Sequence, residues 1–488
     1  MRREESGEGA PRAPFIGRPM PRFEDLRLVV GKGRYTDDFH LENEAAAAFV
    51  RSPYAAARIV GIDMSAALEM PGVLAVVTGQ DYVDDGGQPL RHLADPADNC
   101  DHTIRAFAGY ARNRSIDIDR LPIPLDAVRY VGEPVAVVVA ETALQAQDAA
   151  EAVVVDYEET AFVLTAEEAL AEGAPLVDPD IPGNCAVEAT FGDQAAAEAA
   201  IAGAPCVIDR RFVNQRTANA QMEPRSVIVD YDPGTRRYHM IAGSQGAVRQ
   251  RDTMAEALGI GRDEIDVTCP DTGGGFGART NISPEQPILA IAARRLGRPV
   301  RWTSTRSESF LTDYQGRDIV YRARMGLDED GRILGYACEM FGNVGAYTVS
   351  FVPMANSYRV MTNAYAVPAA SVRIRGALTN TVPTAPYRGA GRPEATYTIE
   401  RMLDIAARRL GLDRRDIRHR NLVPHAALPF TSPMGLTYDS GDFAANLDRV
   451  LAFADWDGGH SPRTHRRDRR SGRADRGGHR HTVERSGP

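Results

Sequence analysis

The amino-acid sequence predicts an α+β protein of two consecutive mixed domains, preceded and followed by disordered tails. Three observations support this fold class. Short β-type runs alternate with helix-type stretches along the first 457 residues, as expected where strands and helices pack in layers. Three helix-type stretches end in Leu-Gly, which is typical of a helix closed by a left-handed glycine. At Asp457 the apolar pattern stops abruptly.

The first predicted domain covers residues 21–160 and follows a charged, proline-rich N-terminal tail at 1–20. Its predicted elements are three strands and one helix, over Val73–Thr78, Pro134–Ala140, Val153–Tyr157 and Ala143–Ala152. The polar stretch 81–125 contains several prolines and glycines. We expect this stretch to run over the surface, and its sequence is uninformative about the chemistry.

The second predicted domain covers residues 161–457. Its predicted strands lie at Cys206–Phe212, Ser226–Tyr231, Tyr238–Ala242, Ile265–Cys269 and Val300–Thr303. The predicted helices end at Leu258-Gly259, Leu296-Gly297 and Leu410-Gly411. The middle helix has a legible start, because Ser283 can cap it, Pro284 suits the first helical position and Gln286 completes a capping box.

Composition and charge exclude several functional classes. The net charge of -9 gives no basis for binding nucleic acid or a membrane surface. No apolar run approaches the ~20 residues of a membrane span, and we expect a cytoplasmic protein. Lys32 is the single lysine, which removes P-loop and Schiff-base chemistry. The five cysteines lack Cys-x-x-Cys spacing, so any iron–sulfur or zinc centre is expected on another chain.

Residues 458–488 differ sharply from the rest of the chain. They contain nine Arg and three acidic residues, a net +6, which leaves -15 to the preceding 457 residues. Such a segment buries too little apolar surface to offset the entropy of ordering, so we predict a disordered tail. We hypothesise that it is an out-of-frame product, which resequencing the gene would decide. The alternative is a natural RNA-binding tail, although no aromatic residues interleave its charges.

The run Asp271–Arg279 places four glycines around Phe276, directly after a predicted strand. Glycines at this density permit positive φ and let backbone N–H groups approach a ligand, so the run suits an oxyanion or a metal-oxo group. Gly273–Ala278 also fits the dinucleotide fingerprint Gly-x-Gly-x-x-Ala. That motif needs a helix that opens within it, whereas the capping signal comes at Ser283. A plain structural loop is the remaining interpretation.

Three further segments carry groups suited to an anionic or oxo ligand. Pro386–Glu394 sets two arginines among glycines at the entrance of a helix predicted over Glu394–Leu410. Gln245 follows a predicted strand, and its amide can both donate and accept hydrogen bonds. Asn219–Arg225 combines an acid and a base in a proline-stiffened loop. The ordinary alternatives are a solvated Arg-Gly loop, a helix-capping turn and a salt-bridged turn.

Taken together and in order, these segments resemble the molybdenum-binding large subunit of the xanthine dehydrogenase, aldehyde oxidase and aerobic carbon monoxide dehydrogenase family. The resemblance covers residues 18–457. It implies an N-terminal α/β-hammerhead domain at 21–160 and the first molybdopterin-binding domain at 161–457. The segments that carry it are Gly33–Asp38 and Arg129–Ala136 in the first domain, and Met222–Arg225, Ser244–Gln245, Gly273–Gly277, Leu296–Val300 and Tyr387–Gly389 in the second.

The resemblance implies a cofactor, a reaction and partner subunits. Gln245 would hydrogen-bond a molybdenum oxygen, Phe276 would approach the metal through its backbone N–H, and Arg388 would lie beside it. The glycines that would complete the cofactor contacts are Gly274, Gly275 and Gly277. The implied cofactor is molybdenum-molybdopterin in its cytosine dinucleotide form, and the implied reaction is hydroxylation with water-derived oxygen. Electrons would leave through an iron–sulfur subunit and an FAD subunit, in a dimer of heterotrimers.

Three positions depart from family members of known substrate. Gly389 stands where carbon monoxide dehydrogenases have their copper-binding cysteine. Thr280 and Ala390 stand where xanthine-oxidising members have a purine-binding glutamate and a stacking phenylalanine. We therefore expect an aldehyde or an aromatic N-heterocycle as substrate, close to Thr280, Ala390 and Arg317.

The resemblance ends at Trp456–Asp457, before the family's second molybdopterin-binding domain and its general-base glutamate. The catalytic residue is therefore unknown, and we expect the polypeptide alone to be inactive, because a missing general base costs ~10² to 10⁴-fold in rate. A catalytically dead scaffold is the alternative from another class, which metal analysis would distinguish. A nicotinamide-dependent dehydrogenase is the third, and it predicts that NADH quenches the fluorescence of Trp302.

Overall fold

The computed structural model describes residues 15, 17–99 and 101–456. The α-helices in these ranges are α1 Asp25–Val29, α2 Ser65–Leu68, α3 Gly79–Asp84, α4 Ala143–Ala152, α5 Ala166–Ala169, α6 Gln194–Ala202, α7 Ala247–Leu258, α8 Glu285–Leu296, α9 Arg306–Thr312, α10 Val352–Arg359, α11 Arg392–Leu410, α12 Arg414–Asn421 and α13 Phe443–Phe453. Short 3₁₀ helices lie at Thr36–Asp38, Pro182–Asn184, Arg262–Glu264, Ala278–Thr280 and His425–Ala427. In the described ranges, no helix has an apolar stretch long enough to cross a bilayer.

The β-strands in the described ranges are β1 Ala45–Arg51, β2 Ala57–Asp63, β3 Val73–Thr78, β4 Arg114–Ser115, β5 Ala127–Val128, β6 Pro134–Ala140, β7 Val154–Glu159, β8 Cys185–Gly192, β9 Cys206–Asn214, β10 Ser226–Asp232, β11 Arg237–Ala242, β12 Ile265–Thr268, β13 Val300–Thr303, β14 Ile319–Leu327, β15 Ile333–Gly345, β16 Ala370–Leu378, β17 Phe430–Thr431 and β18 Thr437–Tyr438. Two small sheets, β5-β2-β7 and β17-β18, lie beside two large ones.

The larger sheet has seven strands in the order β12-β11-β10-β13-β1-β6-β3. It joins the two halves of the sequence where β1 runs parallel to β13, with Ala45 opposite Val300 and Ala46 opposite Arg301. Helix α8 packs on this sheet and shares its apolar core with Trp302. The predicted boundary between residues 160 and 161 stays a prediction, and this sheet crosses it.

The second large sheet has six strands in the order β4-β8-β16-β15-β14-β9. Helix α11 packs against it through Ile399, Met402 and Leu403, which share a core with Tyr321 and Met325 of β14. The loops that follow β11 and β12 contact each other, and the loop after β12 contacts the loop that precedes α11. The ends of these two strands and the start of this helix are therefore close together. Those loops carry the candidate site.

Local sequence signals account for most of these elements. Strand β6 is buried at every position, as its continuous apolar run predicts. The three predicted glycine stops are confirmed, since Gly259, Gly297 and Gly411 close α7, α8 and α11 with φ of 64°, 60° and 70°. The capping box of α8 is only half formed. The side-chain oxygen of Gln286 accepts from the backbone N–H of Ser283 at 3.0 Å, but no side chain caps the first turn in return.

The stretch 81–125 does not run over the surface, and that expectation is wrong. Leu90, Phe107 and Ile123 are fully buried, and Phe107 packs against the rings of Phe191, Phe351 and Tyr358. The apolar residues are spaced without strand or helix periodicity, so the sequence pattern concealed their burial. The predicted tail at 458–488 lies outside the described residues, as does the tail at 1–20 apart from residues 15 and 17–20.

Candidate functional site

The glycine run forms a loop between β12 and the 3₁₀ helix Ala278–Thr280. Its backbone has positive φ at Gly274, Phe276 and Gly277, of 116°, 52° and 108°. Over the described residues, the N–H groups of Gly274, Gly275 and Phe276 donate no hydrogen bond within the protein. Consecutive unpaired N–H groups in such a conformation form a concavity that binds anions.

Close packing explains why two of these positions carry glycine. A Cβ at Gly277 would lie 2.3 Å from the backbone oxygen of Pro386, and a Cβ at Gly275 would lie 2.5 Å from Cγ of Gln245. Real Cβ atoms essentially never approach other heavy atoms so closely. The glycine run is therefore in direct contact with both other predicted cofactor segments.

Gln245 is hydrogen-bonded to the glycine run in one defined orientation. Its side-chain oxygen accepts from the backbone N–H of Gly277 at 2.6 Å. The backbone N–H of Gln245 donates to the carbonyl of Arg279 at 3.2 Å. A backbone N–H can only donate, so the bond to Gly277 assigns the oxygen of the amide and leaves its NH₂ group on the other side. That NH₂ group has no acceptor among the residues with described positions.

The arginine turn Tyr387–Gly389 lies against the glycine run. The N–H of Arg388 donates to the carbonyl of Phe276 at 2.9 Å, and the rings of Phe276 and Tyr387 meet edge to face with centroids 6.5 Å apart. A depression of about 400 Å³ lies between the two loops, lined by Phe276, Gly277 and Pro386–Ala390. Four of the predicted site residues therefore line it, namely Phe276, Gly277, Arg388 and Ala390.

The two arginines at this turn differ in what they contact. In the described part of the chain, the guanidinium of Arg388 makes no ion pair or hydrogen bond, so its charge is uncompensated. Arg317 forms a salt bridge of 3.1 Å with Glu394, donates to the carbonyl of Arg388 at 2.7 Å and lies over the ring of Tyr387. Arg317 therefore supports the turn from behind and does not line its depression.

A buried ion pair supports the glycine run from below. One carboxylate oxygen of Glu223 accepts from the N–H of Gly273 and from Arg279, both at 2.7 Å. A second nitrogen of Arg279 donates to the carbonyl of Glu223. Burial lowers the pKa of Arg279 and the charge of Glu223 opposes that shift. The acid and the base of the turn Asn219–Arg225 do not pair with each other, because Glu223 pairs with Arg279 and Arg225 pairs with Glu285 and Asp313.

The donor groups suit a cofactor that presents oxygen atoms or negative charge. The site has five hydrogen-bond donors without an acceptor in the described ranges. They are three backbone N–H groups, the NH₂ group of Gln245 and the guanidinium of Arg388. Helix α8 begins only at Glu285, so the glycine run does not sit at the N-terminus of an α-helix, and only the three-residue 3₁₀ helix Ala278–Thr280 follows its glycines. This geometry does not favour the dinucleotide interpretation, which needs that N-terminus for the pyrophosphate.

The remaining predicted and overlooked residues lie around these loops. Thr280 lines a neighbouring depression that shares Pro386 with the one beside Arg388. Glu394, whose side chain is 1% exposed, is a site residue that the sequence did not predict, and it pairs with Arg317. The signal that could have identified it is its position at the first turn of α11, where an acid is favoured by the helix dipole.

Comparison with known proteins agrees with these features. Residues 177–422 match the molybdopterin cofactor-binding domain, and residues 30–104 and 112–161 match the aldehyde oxidase and xanthine dehydrogenase a/b hammerhead domain. The nicotine 6-hydroxylase large subunit of Paenarthrobacter nicotinovorans is 32% identical over 452 residues, which cover 90% of this chain and 52% of that one. The structure of quinoline 2-oxidoreductase from Pseudomonas putida 86 aligns with a TM-score of 0.83 at 30% identity, over 92% of this chain and 55% of that one.

The chain thus spans about half the length of these two relatives. A third relative, the nicotinate dehydrogenase large molybdopterin subunit of Eubacterium barkeri, is 27% identical over 408 residues, which cover 83% of this chain and 89% of that protein. The two domain matches follow one another in the predicted order and together include the glycine run, Gln245 and Arg388. The chain belongs to the family of molybdopterin-binding oxidoreductase large subunits that includes xanthine dehydrogenase, aldehyde oxidase and carbon monoxide dehydrogenase, as its sequence motifs predict.

Proposed function

We propose that this chain is the cofactor-binding first half of a molybdenum hydroxylase large subunit, which oxidises an aldehyde or an aromatic N-heterocycle with water-derived oxygen. The observation that carries the proposal is the convergence of unpaired donors from the glycine run, Gln245 and Arg388. Molybdenum-molybdopterin, in its cytosine dinucleotide form, would supply the redox chemistry when bound. The residues of this chain bind it, orient it and polarise its surroundings.

Each donor has a defined task in this proposal. The NH₂ group of Gln245 donates to a cofactor oxygen, because its carbonyl is already committed to Gly277. The N–H groups of Gly274 to Phe276 receive a further oxygen or a phosphate-like group. Arg388 adds a full positive charge beside them, which stabilises negative charge that develops on oxygen during the reaction.

The side chains around the depression favour an aldehyde or an aromatic N-heterocycle over carbon monoxide or purine. Gly389 offers no thiolate for copper, and Ala390 offers no ring to stack on a purine. Thr280 replaces a carboxylate by a small hydroxyl group. An aldehyde or an N-heterocycle has an electrophilic carbon that such a site can accept without those specialised contacts.

Other polypeptides complete this enzyme in the proposal. An iron–sulfur subunit and an FAD subunit carry electrons away, and the complete cytoplasmic assembly is a dimer of heterotrimers. A further chain or segment supplies the general base and the other half of the cofactor site. Two observations support this, namely that matched relatives are nearly twice as long and that one large molybdopterin subunit has almost the extent of the match here.

Metal analysis tests the proposal directly. The 488-residue chain is produced alone and together with proteins encoded beside it, and molybdenum per chain is measured with turnover of benzaldehyde and quinoline. We expect stoichiometric molybdenum and turnover in the complex, and neither in the chain alone. Gln245→Glu and Arg388→Met should lower the molybdenum content of the complex, whereas Gln147→Glu, an exposed change outside the site, should not. A complex without molybdenum would support the dead-scaffold alternative.

A further inference from the structure

A second depression of about 370 Å³ adjoins the proposed cofactor site. It shares Pro386 with the depression beside Arg388, and it contains Thr280 and Asn281, which follow the glycine run. Its opposite wall comes from the stretch 81–125, which sequence analysis placed on the surface. A cavity of this size accommodates a molecule of one or two rings.

The walls of this depression are mainly apolar. Leu93 and Pro96 come from the first domain, Val349 lies between β15 and α10, and Val352 is the first residue of α10. Small polar groups from Thr280, Asn281 and Ser350 face them. Such a lining favours a flat organic molecule with few polar groups, which agrees with the substrate class proposed above.

Charge distinguishes this depression from an ordinary apolar pocket. Arg105 and Arg249 line it, and its lining includes no Asp or Glu. In the described ranges neither arginine has a carboxylate within 4.0 Å. This is notable in a chain whose net charge is -9. Two uncompensated guanidinium groups beside an apolar cavity create a site that attracts a carboxylate.

Asp95 and Asp117, on the same stretch of chain as Arg105, are engaged by other donors. The carboxylate of Asp95 accepts from the N–H groups of Phe107 and Ala108 and from the hydroxyl of Ser115. Asp117 accepts from the N–H of Ala94 at 3.0 Å. Burial raises the pKa of Asp117, and the charge of Arg105 opposes that shift without an ion pair. Arg105 donates once, to the backbone carbonyl of Asp95 at 3.1 Å, which leaves its other N–H groups available.

We propose that this depression is the substrate pocket and that Arg249 and Arg105 select a substrate whose ring or chain carries a carboxylate. The inference rests on the proposed function, because a substrate in this pocket can react only with a cofactor bound in the adjoining site. The carboxylate pairs with the guanidinium groups, and the apolar walls hold the ring with its reactive carbon towards Thr280 and Pro386. Arg249 and Arg105 are specificity-determining residues in this arrangement.

Direct binding tests the pocket without any cofactor. The full chain is titrated with benzoate and with benzamide, which match in shape and differ in charge, by calorimetry and ligand-observed NMR. We expect benzoate to bind at least about tenfold more tightly, the value of one charge-assisted hydrogen bond. Arg249→Gln should remove this preference, and Arg105→Gln should weaken it. Arg251→Gln is the matched control, because Arg251 lies on the same helix and pairs with Asp252 outside the pocket.

The outcomes separate this inference from the proposed function. Equal or undetectable binding of benzoate and benzamide, or equal effects of Arg249→Gln and Arg251→Gln, would overturn the carboxylate site whatever the molybdenum content. In the loaded complex, Arg249→Gln should raise KM for 4-carboxybenzaldehyde about tenfold or more and leave KM for benzaldehyde unchanged. Thermal melting of each variant, at the exposed Arg105 and Arg249 and the half-buried Arg251, checks that the fold is intact.

Discussion

Nη1 of Arg317 lies 3.1 Å from a carboxylate oxygen of Glu394, a side chain that is 1% exposed. The same guanidinium donates to the carbonyl of Arg388 at 2.7 Å. The backbone at Arg317 and Asp318 has positive φ of 64° and 59°, a conformation that ordinary residues adopt only when the surroundings impose it. The ion pair therefore ties the arginine turn to the buried start of α11 and frees Arg388 to face the cofactor depression.

Replacement of Arg317 should loosen the arginine turn. Lysine in Arg317→Lys keeps the charge but lacks the fork that reaches both Glu394 and the carbonyl of Arg388. We expect amide hydrogen exchange across residues 387–391 to accelerate about tenfold, as measured by mass spectrometry, and the molybdenum content of the complex to fall. Arg216→Lys is the control, because Arg216 pairs with the neighbouring Asp318 at 2.8 Å. A changed KM without faster exchange would instead favour a direct substrate contact by Arg317.

Substitution of Gly277 by alanine should disrupt the junction between the two loops. The new Cβ would lie 2.3 Å from the backbone oxygen of Pro386, at a φ of 108°. We expect a loss of about 1–3 kcal/mol in the free energy of unfolding and weaker molybdenum retention by the complex. Chemical denaturation of the chain measures the first. Gly61→Ala is the control, because nothing lies within 4 Å of its new Cβ, and an equal loss there would contradict the steric explanation.

Glu285 should make folding stability fall steeply in acid. Burial alone would raise the pKa of this carboxyl, but the charges of Arg225 and Arg51 hold it at about 2, below its ordinary value of 4.5. Because the folded-state pKa is depressed, the stabilisation is complete above pH 4.5 and is lost as the pH falls towards 2. Urea denaturation across this range measures it.

Glu285→Gln is the variant that isolates this contribution. The substitution removes the carboxylate that Arg225 and Arg51 share, although Arg225 keeps Asp313 and Arg51 keeps Glu308. We therefore expect a cost of about 1–3 kcal/mol at neutral pH. The difference from the wild-type protein should shrink as the pH falls from 4.5 to 2. A difference that is constant with pH would show that the charge of Glu285 does not contribute.

The stretch 81–125 should behave as part of the core. Phe107→Ala removes a fully buried ring and should destabilise the fold by about 3–5 kcal/mol. Phe23→Ala, at a ring that is fully exposed, should change the free energy of unfolding by less than about 0.5 kcal/mol. Denaturant midpoints of the two variants provide the comparison, and similar values would contradict the burial described above.

Local signals predicted much of the fold. Strand Val73–Thr78 and helix Ala143–Ala152 have the predicted bounds, because apolar alternation and Thr142 as a helix cap act within a few residues. The core role of Phe107 was not predictable in this way. It depends on rings contributed by Phe191 and Phe351, which are distant in sequence.

The candidate site divides along the same line. The conformation of the glycine run was predictable from its sequence, because positive φ and close packing both require glycine. The supporting roles of Glu223 and Glu394 were hard to predict from the sequence, because a single acid in a loop has many ordinary explanations. Each acid acts through an arginine that is distant in sequence: Glu223 pairs with Arg279, 56 residues away, and Glu394 pairs with Arg317, 77 residues away.

The parallel pairing of β1 with β13 has a consequence for any attempt to treat the two domains as modules. Cutting the chain near residue 160 would strip β13 of its neighbour at Ala45 and Ala46 and expose a strand edge to other molecules. We expect the separated pieces to self-associate. A chimera between two relatives that keeps its function must therefore exchange the hammerhead domain together with the segment that carries β13. We expect the two regions to have been inherited together.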